Sequence, residues 1–220
     1  MPHSRYDLAI FDLDGTLLNT AKGIEAALRH TLKELSHAVP SETSLTAYIG
    51  PPIEQAFSNL AGLEGDALHA AANRFRVRYS THDLLKATPY SGIFDLLRSI
   101  RALGIKTAVA TYKREEYAMR LLHHYGFHSY FDVMHGSDDA GRLKKKDLIC
   151  HCIKECGVHD LGHVVMIGDT NEDARGAAEA GVDFIAVTYG FGFRTARDAL
   201  PHAPIGIAHT PMEILHFLGQ

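Results

Sequence analysis

Two aspartates one residue apart, Asp12 and Asp14, stand in the segment Asp12-Leu13-Asp14-Gly15-Thr16, directly after the apolar run Tyr6–Phe11. Residues i and i+2 of an extended chain point to the same side. Gly15 permits a turn immediately afterwards, so both carboxylates can face one cavity. Carboxylates that close repel unless a cation sits between them. Hard oxygen ligands point to magnesium, which keeps several waters and binds through one or two carboxylates plus phosphate oxygens. A further acid, Asp169, follows the run His163–Gly168, with Asp173 four residues on. Thr111 closes the run Ile105–Thr111, and Lys144-Lys145-Lys146 precedes a helix expected over Asp147–Glu155. An isolated acid at a strand end is ordinarily a cap or a turn former. Three such acids at strand ends, two of them in one short motif, instead suggest a shared cation.

The elements that must position these groups are legible in outline. Tyr6–Phe11, Ile105–Thr111, His163–Gly168 and Asp183–Thr188, with a shorter run at Tyr130–Gly136, are rich in Val, Ile or Ala and too short for helices. They fit strands buried on both faces. Between them lie helical patterns such as Ile93, Leu96, Leu97 and Ile100, which Gly104 ends, and a looser one around Tyr117–Leu122, which Gly126 ends. This alternation implies an α/β fold with right-handed crossovers and a parallel sheet. In an open parallel sheet, ligands gather at the carboxyl ends of the strands, where the acids, Thr111 and the lysines all fall.

Residues 18–88 break the rhythm. Ile24, Ala27, Leu28, Thr31, Leu32 and Leu35 form one helical face, with Asn19 or Thr20 as its cap. Two more helices are expected near Pro52–Ala61 and Gly65–Tyr79. The division predicted is a core of residues 1–17 and 89–220 with a helical insertion over 18–88.

Composition excludes other classes. The 220 residues are 46% hydrophobic and 22% charged, with a net charge of −4, so neither disorder nor a basic nucleic-acid or membrane surface is expected. No apolar run is long enough for a spanning helix or resembles a secretory signal, and the expected location is cytoplasmic. Cys150, Cys152 and Cys156 lack the paired spacing of a zinc site, and their odd number in such a compartment argues against a disulfide framework. They read as cysteines on a buried helix.

Taken together, Asp12-Leu13-Asp14-Gly15-Thr16, Thr111, Lys145 and Gly168-Asp169 with Asp173 resemble the four motifs of the haloacid dehalogenase superfamily. The likeness spans nearly the whole chain. Tyr48-Ile-Gly-Pro-Pro52, Pro89-Tyr-Ser-Gly92 and Val187-Thr-Tyr-Gly-Phe-Gly192 resemble its phosphoglycolate phosphatase-like branch. The resemblance implies a Rossmann-like core with helices on both faces and an inserted helical cap that closes over the site as a lid.

It also implies roles. Asp12 is the nucleophile that forms an aspartyl-phosphate, and Asp14 is the acid and then the base. Asp12, the backbone carbonyl of Asp14, and Asp169 hold Mg2+, with Asp173 as a ligand or the orienter of one. Thr111 and a lysine bind the phosphoryl oxygens. Lys145 fits the family register; Lys144 or Lys146 requires a one-residue slip. Retention of Asp14 favours phosphate esters over carbon–halogen bonds, because a halide leaving group needs no acid. The expected substrate is a small phosphorylated metabolite of the phosphoglycolate kind, and the expected state is monomer or homodimer. A phosphosugar mutase, a nucleotidase, a pyrophosphatase and a non-catalytic phosphate-binding module are the alternatives. Tyr112 is a bulky departure between Thr111 and Lys113, and Lys113 reads equally as a substrate contact or a surface lysine. Gly50, Pro51 and Pro52 are expected to shape a loop facing the site. Lys22, Arg74, Arg76, Arg78 and Lys86 are cationic candidates on the insertion, read first as solvated charges.

Overall fold

A computed structural model describes residues 4–40, 45, 48–49, 52–138 and 142–219; Gly50 and Pro51 lie outside them. By its internal contacts the chain divides into two compact units, Met1–Leu18 with Pro89–Gln220, and Asn19–Thr88.

The first unit is built on β1 (Leu8–Phe11), β4 (Lys106–Arg114), β5 (Val133–Ser137), β6 (Val164–Gly168), β7 (Asp183–Val187) and β8 (Gly206–Ala208). All pairings are parallel, in the order β5-β4-β1-β6-β7-β8. Two further short strands, β2 (Leu18–Asn19) and β3 (Thr88–Pro89), pair where the chain leaves and re-enters this unit. The sheet is α/β and Rossmann-like, with helices on both faces. β1 is central because the chain runs outward through β4 and β5 on one side, then resumes at β6 on the other. Its carboxyl end is therefore the point where strand order reverses, the place at which open α/β sheets form a crevice.

Alternation along β1 sorts the core into two layers. Leu8 and Ile10 join one buried cluster with Leu148, Ile149, Cys152 and Ile153 of the helix Lys145–Cys156 and with Ala174 and Ala177 of the helix Asn171–Ala180. On the other face Phe11 meets Phe131 edge-on at 6.0 Å between ring centroids. The helices Ile93–Ala102 and Glu115–His124 pack against β4. Cys152 and Cys156 are buried and free, the former donating its thiol to the Val109 carbonyl at 3.3 Å, and Cys150 is exposed.

In the second unit, the helices Ala21–Glu34, Ile53–Ala61 and Gly65–Arg78 pack around Leu28, Leu32, Phe57 and Phe75. Thr20 precedes the first of them without a side-chain cap; Asn19 Oδ1 accepts the Ala21 N–H instead, at 3.2 Å. The last helix widens into a π turn over Tyr79–Asp83, which ends on a fully buried carboxylate. Arg78 Nε and Lys86 Nζ each approach Asp83 at 2.7 Å, and Arg76 pairs with Glu54. Three of the cations expected to be solvated are thus tied into ion pairs of their own unit.

Candidate active site

Asp12 follows β1 and Asp169 follows β6, so adjacent parallel strands deliver two carboxylates to one end of the sheet. Asp173 arrives from the first turn of the helix Asn171–Ala180. That helix starts with a reciprocal cap: Asp173 accepts from Thr170 N–H at 3.0 Å, and Thr170 Oγ1 accepts from Asp173 N–H at 3.3 Å. All three acids are buried, and one oxygen from each lies within 4.8 Å of the others.

One ammonium enters this cluster. Lys145 Nζ lies 2.7 Å from Asp12 Oδ1, 2.7 Å from Asp173 Oδ1 and 3.0 Å from the Ala110 carbonyl. Lys145 is 2% exposed, whereas Lys144 and Lys146 are far more open to solvent. Burial alone would lower the Lys145 ammonium, but Asp12 and Asp173 outweigh it and hold the lysine charged. Burial pushes the Asp12 carboxyl upward, against the pull of Lys145 and with help from Asp173 and Asp14. Burial likewise pushes Asp169 upward, reinforced by Asp173 and Asp12. Three carboxylates against one ammonium leave negative charge uncompensated in a dry place, and a hard divalent cation fits that donor set.

Asp169 is gripped on every side. Its Oδ2 accepts N–H bonds from Phe191 at 2.7 Å and Gly192 at 3.1 Å, while its backbone carbonyl accepts from Phe193 at 2.7 Å. A Cβ on Gly190 would overlap this carboxylate, as would one on Gly15, whose φ of +89° also favours glycine. The loop after β7 therefore functions as a backbone clamp.

Asp14 lies outside the three-carboxylate cluster and has a cation of its own. Lys113 Nζ meets its two oxygens at 2.8 and 3.0 Å, with the side chains only 5% and 10% exposed. A surface reading of Lys113 is therefore wrong. Thr111 is buried near the end of β4, two residues past the partner of Phe11, and its Oγ1 accepts the Lys113 N–H at 3.2 Å.

Residues 9–187 match the family model described as haloacid dehalogenase-like hydrolase. The chain belongs to that family. Among its curated relatives, tyrosine-protein kinase PtkA of Mycobacterium tuberculosis is 34% identical, over 99% of this chain and 74% of the kinase. A 5'-nucleotidase of Pseudomonas aeruginosa is 34% identical over 86% of this chain and 85% of its own. A phosphoglycolate phosphatase of Thiobacillus denitrificans is 29% identical over 83% of each. Among solved structures, a haloacid dehalogenase-like family hydrolase of Streptococcus pneumoniae superposes with a TM-score of 0.89 at 30% identity, covering 97% of this chain and 98% of that one. These likenesses put the haloacid dehalogenase-like chain in the phosphoglycolate phosphatase-like branch.

Two groups of site features lay outside sequence reasoning. The Phe191 and Gly192 donors are backbone atoms with no side-chain signature, although the Tyr-Gly-Phe-Gly stretch that carries them was visible. The Lys113–Asp14 pair joins residues 99 positions apart. No helix among the described residues is long and apolar enough to cross a membrane.

Proposed function

We propose that the protein is a magnesium-dependent phosphatase that hydrolyses small-molecule phosphate monoesters, phosphoglycolate-like in kind, through an aspartyl-phosphate on Asp12. The observation that carries this reading is the buried Asp12–Lys145–Asp173 network beside Asp169. Asp12, Asp169 and the backbone carbonyl of Asp14 would hold Mg2+, with Asp173 fixing Lys145 or completing the ligand set. The ion supplies positive charge for the equatorial phosphoryl oxygens as charge spreads over them.

The remaining chemistry falls to side chains. An Asp12 carboxylate oxygen attacks phosphorus, and the bond from phosphorus to the leaving oxygen breaks. Asp14, in its carboxylic acid form, gives that oxygen its proton and becomes a carboxylate. In the second half Asp14 takes a proton from water, which attacks phosphorus and releases inorganic phosphate, regenerating Asp12. Lys145 and Thr111 bind phosphoryl oxygens, and Lys145 keeps Asp12 oriented toward the incoming group. Lys113 holds Asp14 in place as the carboxylate that takes the proton from water in the second half. In this reading residues 18–88 are the helical cap domain and residues 1–17 and 89–220 the catalytic core.

The kinase relative favours one second reading: discharge of the aspartyl-phosphate to a tyrosine hydroxyl rather than to water. The nucleotidase relative makes nucleoside monophosphates the first alternative substrates. A phosphate-release screen over phosphoglycolate, sugar phosphates, nucleotides and pyrophosphate, with Mg2+ and with chelator, tests the proposal; a parallel blot for phosphotyrosine after incubation with ATP tests the second reading. Hydrolysis that persists in chelator, or full activity in Asp12→Asn, would falsify the mechanism.

A further inference from the structure

We infer that Tyr112 is a positioning residue for Lys145, fixing the lysine from both ends. Its kinetic consequence rests on the phosphatase reading; its structural basis does not.

The first N–H groups of a helix have no partner inside it and need an outside acceptor. The residue preceding the helix Lys145–Cys156 is Lys144, whose side chain has donors only and cannot cap it. Asp147 Oδ2 reaches back to the Lys144 N–H at 2.9 Å. The next donor, the Lys145 N–H, goes to the phenol oxygen of Tyr112 at 2.9 Å. This contact ties the start of the helix to β4 one residue beyond Thr111.

The same ring touches the far end of the same lysine. Lys145 Nζ lies 5.3 Å from the centroid of Tyr112, within the range in which an aromatic face attracts a cation. The stem between is confined by Gly176, where a Cβ would overlap Lys145 Cβ and Cγ. Tyr112 therefore constrains both the backbone that launches Lys145 and the ammonium that meets Asp12. A phenylalanine would fill the same place against the neighbouring apolar cluster. The hydroxyl is what packing alone leaves unexplained, and its bond to the Lys145 N–H accounts for it.

The test compares wild type, Tyr112→Phe and Tyr112→Leu, each with Lys145 and with Lys145→Met, in the presence of Mg2+. Three quantities are read: exchange of the backbone amide at position 145 by NMR, the inhibition constant of inorganic phosphate with kcat and KM, and the melting temperature. Tyr112→Phe is expected to speed exchange at that amide and weaken phosphate binding, each about two- to tenfold, the worth of one neutral hydrogen bond. Tyr112→Leu should go further by removing the ring. In the Lys145→Met background neither change should alter phosphate affinity, because effects through one shared group are not additive. Unchanged exchange and unchanged phosphate affinity in Tyr112→Phe would overturn the assignment. So would an equal loss of phosphate affinity with and without Lys145, which would make Tyr112 a packing residue, or failure of Tyr112→Phe to fold, which would make its hydroxyl a support of the whole fold and not of Lys145. If the wild type neither turns over nor binds phosphate, the functional reading fails, and amide exchange still decides whether Tyr112 caps the helix.

Discussion

Lys113 reaches from the end of β4 to hold both carboxylate oxygens of Asp14, in a pair that is almost fully enclosed. Lys113 belongs to β4 and Asp14 to the turn after β1, so the proposed acid–base group depends on a cation that its own motif does not contain. Lys113→Met is expected to lower kcat by about 10²-fold, the scale on which misplacing a proton-transfer group acts. KM for the phosphate monoester should change less than kcat. Steady-state kinetics on the variant, with a thermal melt to confirm folding, checks this; wild-type kcat in Lys113→Met would show that Asp14 needs no such anchor.

Gly190 borders the carboxylate of Asp169, and a Cβ there would also overlap the Gly15 carbonyl. Gly190→Ala should displace Asp169 and weaken Mg2+ binding by about 10–100-fold, as disturbing the support of a metal ligand does. The Mg2+ concentration for half-maximal activity reads this directly. A variant with unaltered Mg2+ dependence would place Asp169 outside the ligand set.

In the proposed mechanism protons and Mg2+ would compete for Asp12 and Asp169, whose carboxyls burial holds above their ordinary range. In chelator the folded state binds these protons more tightly than the unfolded chain does. Their contribution to stability is therefore fully present below about pH 4 and fades as pH rises through the raised folded-state values. Added Mg2+ should accordingly raise the melting temperature more at about pH 8 than at about pH 5.5. Calorimetric melts in Mg2+ and in chelator at the two pH values make the comparison, and an equal rise at both would argue against carboxylate ligation.

Asp83 has the opposite sign. Burial pushes its carboxyl up, but Lys86 and Arg78 outweigh burial and hold it below the usual range. Its stabilisation is present above about pH 4 and is lost as pH falls through the depressed value. Asp83→Asn should destabilise the unit Asn19–Thr88 by about 1.5–3 kcal/mol at neutral pH, the range for hydrogen bonds to charged groups. Urea unfolding at neutral pH and near pH 3 is the measurement; the difference between wild type and variant should shrink in acid.

Much of the fold was legible because strands buried on both faces carry short apolar runs: β1 and β6 are apolar throughout, and β4 and β7 hold Ala108–Ala110 and Phe184–Val187. The strand β8 gave no such sign: its three residues, Gly206–Ala208, sit at the sheet edge and follow a loop rich in Pro and Ala. Within the candidate site, the short motifs located Asp12, Asp14, Asp169 and Asp173. Lys145 stood out among three lysines because Lys145-Lys-Asp147-Leu-Ile149 fits the register of the family that the chain resembles. What could not be read was partnership across distance. Lys113 with Asp14, Tyr112 with Lys145, and the Phe191 and Gly192 amides with Asp169 depend on strand register and loop path, not on spacing along the chain.

The central place of β1 has a consequence for synthesis. Its neighbours begin at Lys106 and Val164, so the strand that carries Asp12 leaves the ribosome long before either exists. At roughly 5–20 residues per second it waits on the order of ten seconds for its second partner. The helical unit Asn19–Thr88 is complete within that interval and can mature by local contacts. Nascent chains halted before Lys106 should therefore hold a folded insertion and an unpaired, aggregation-prone β1, those halted between Arg114 and Val164 a β1 with one edge still open, and chaperone demand should concentrate on that first strand.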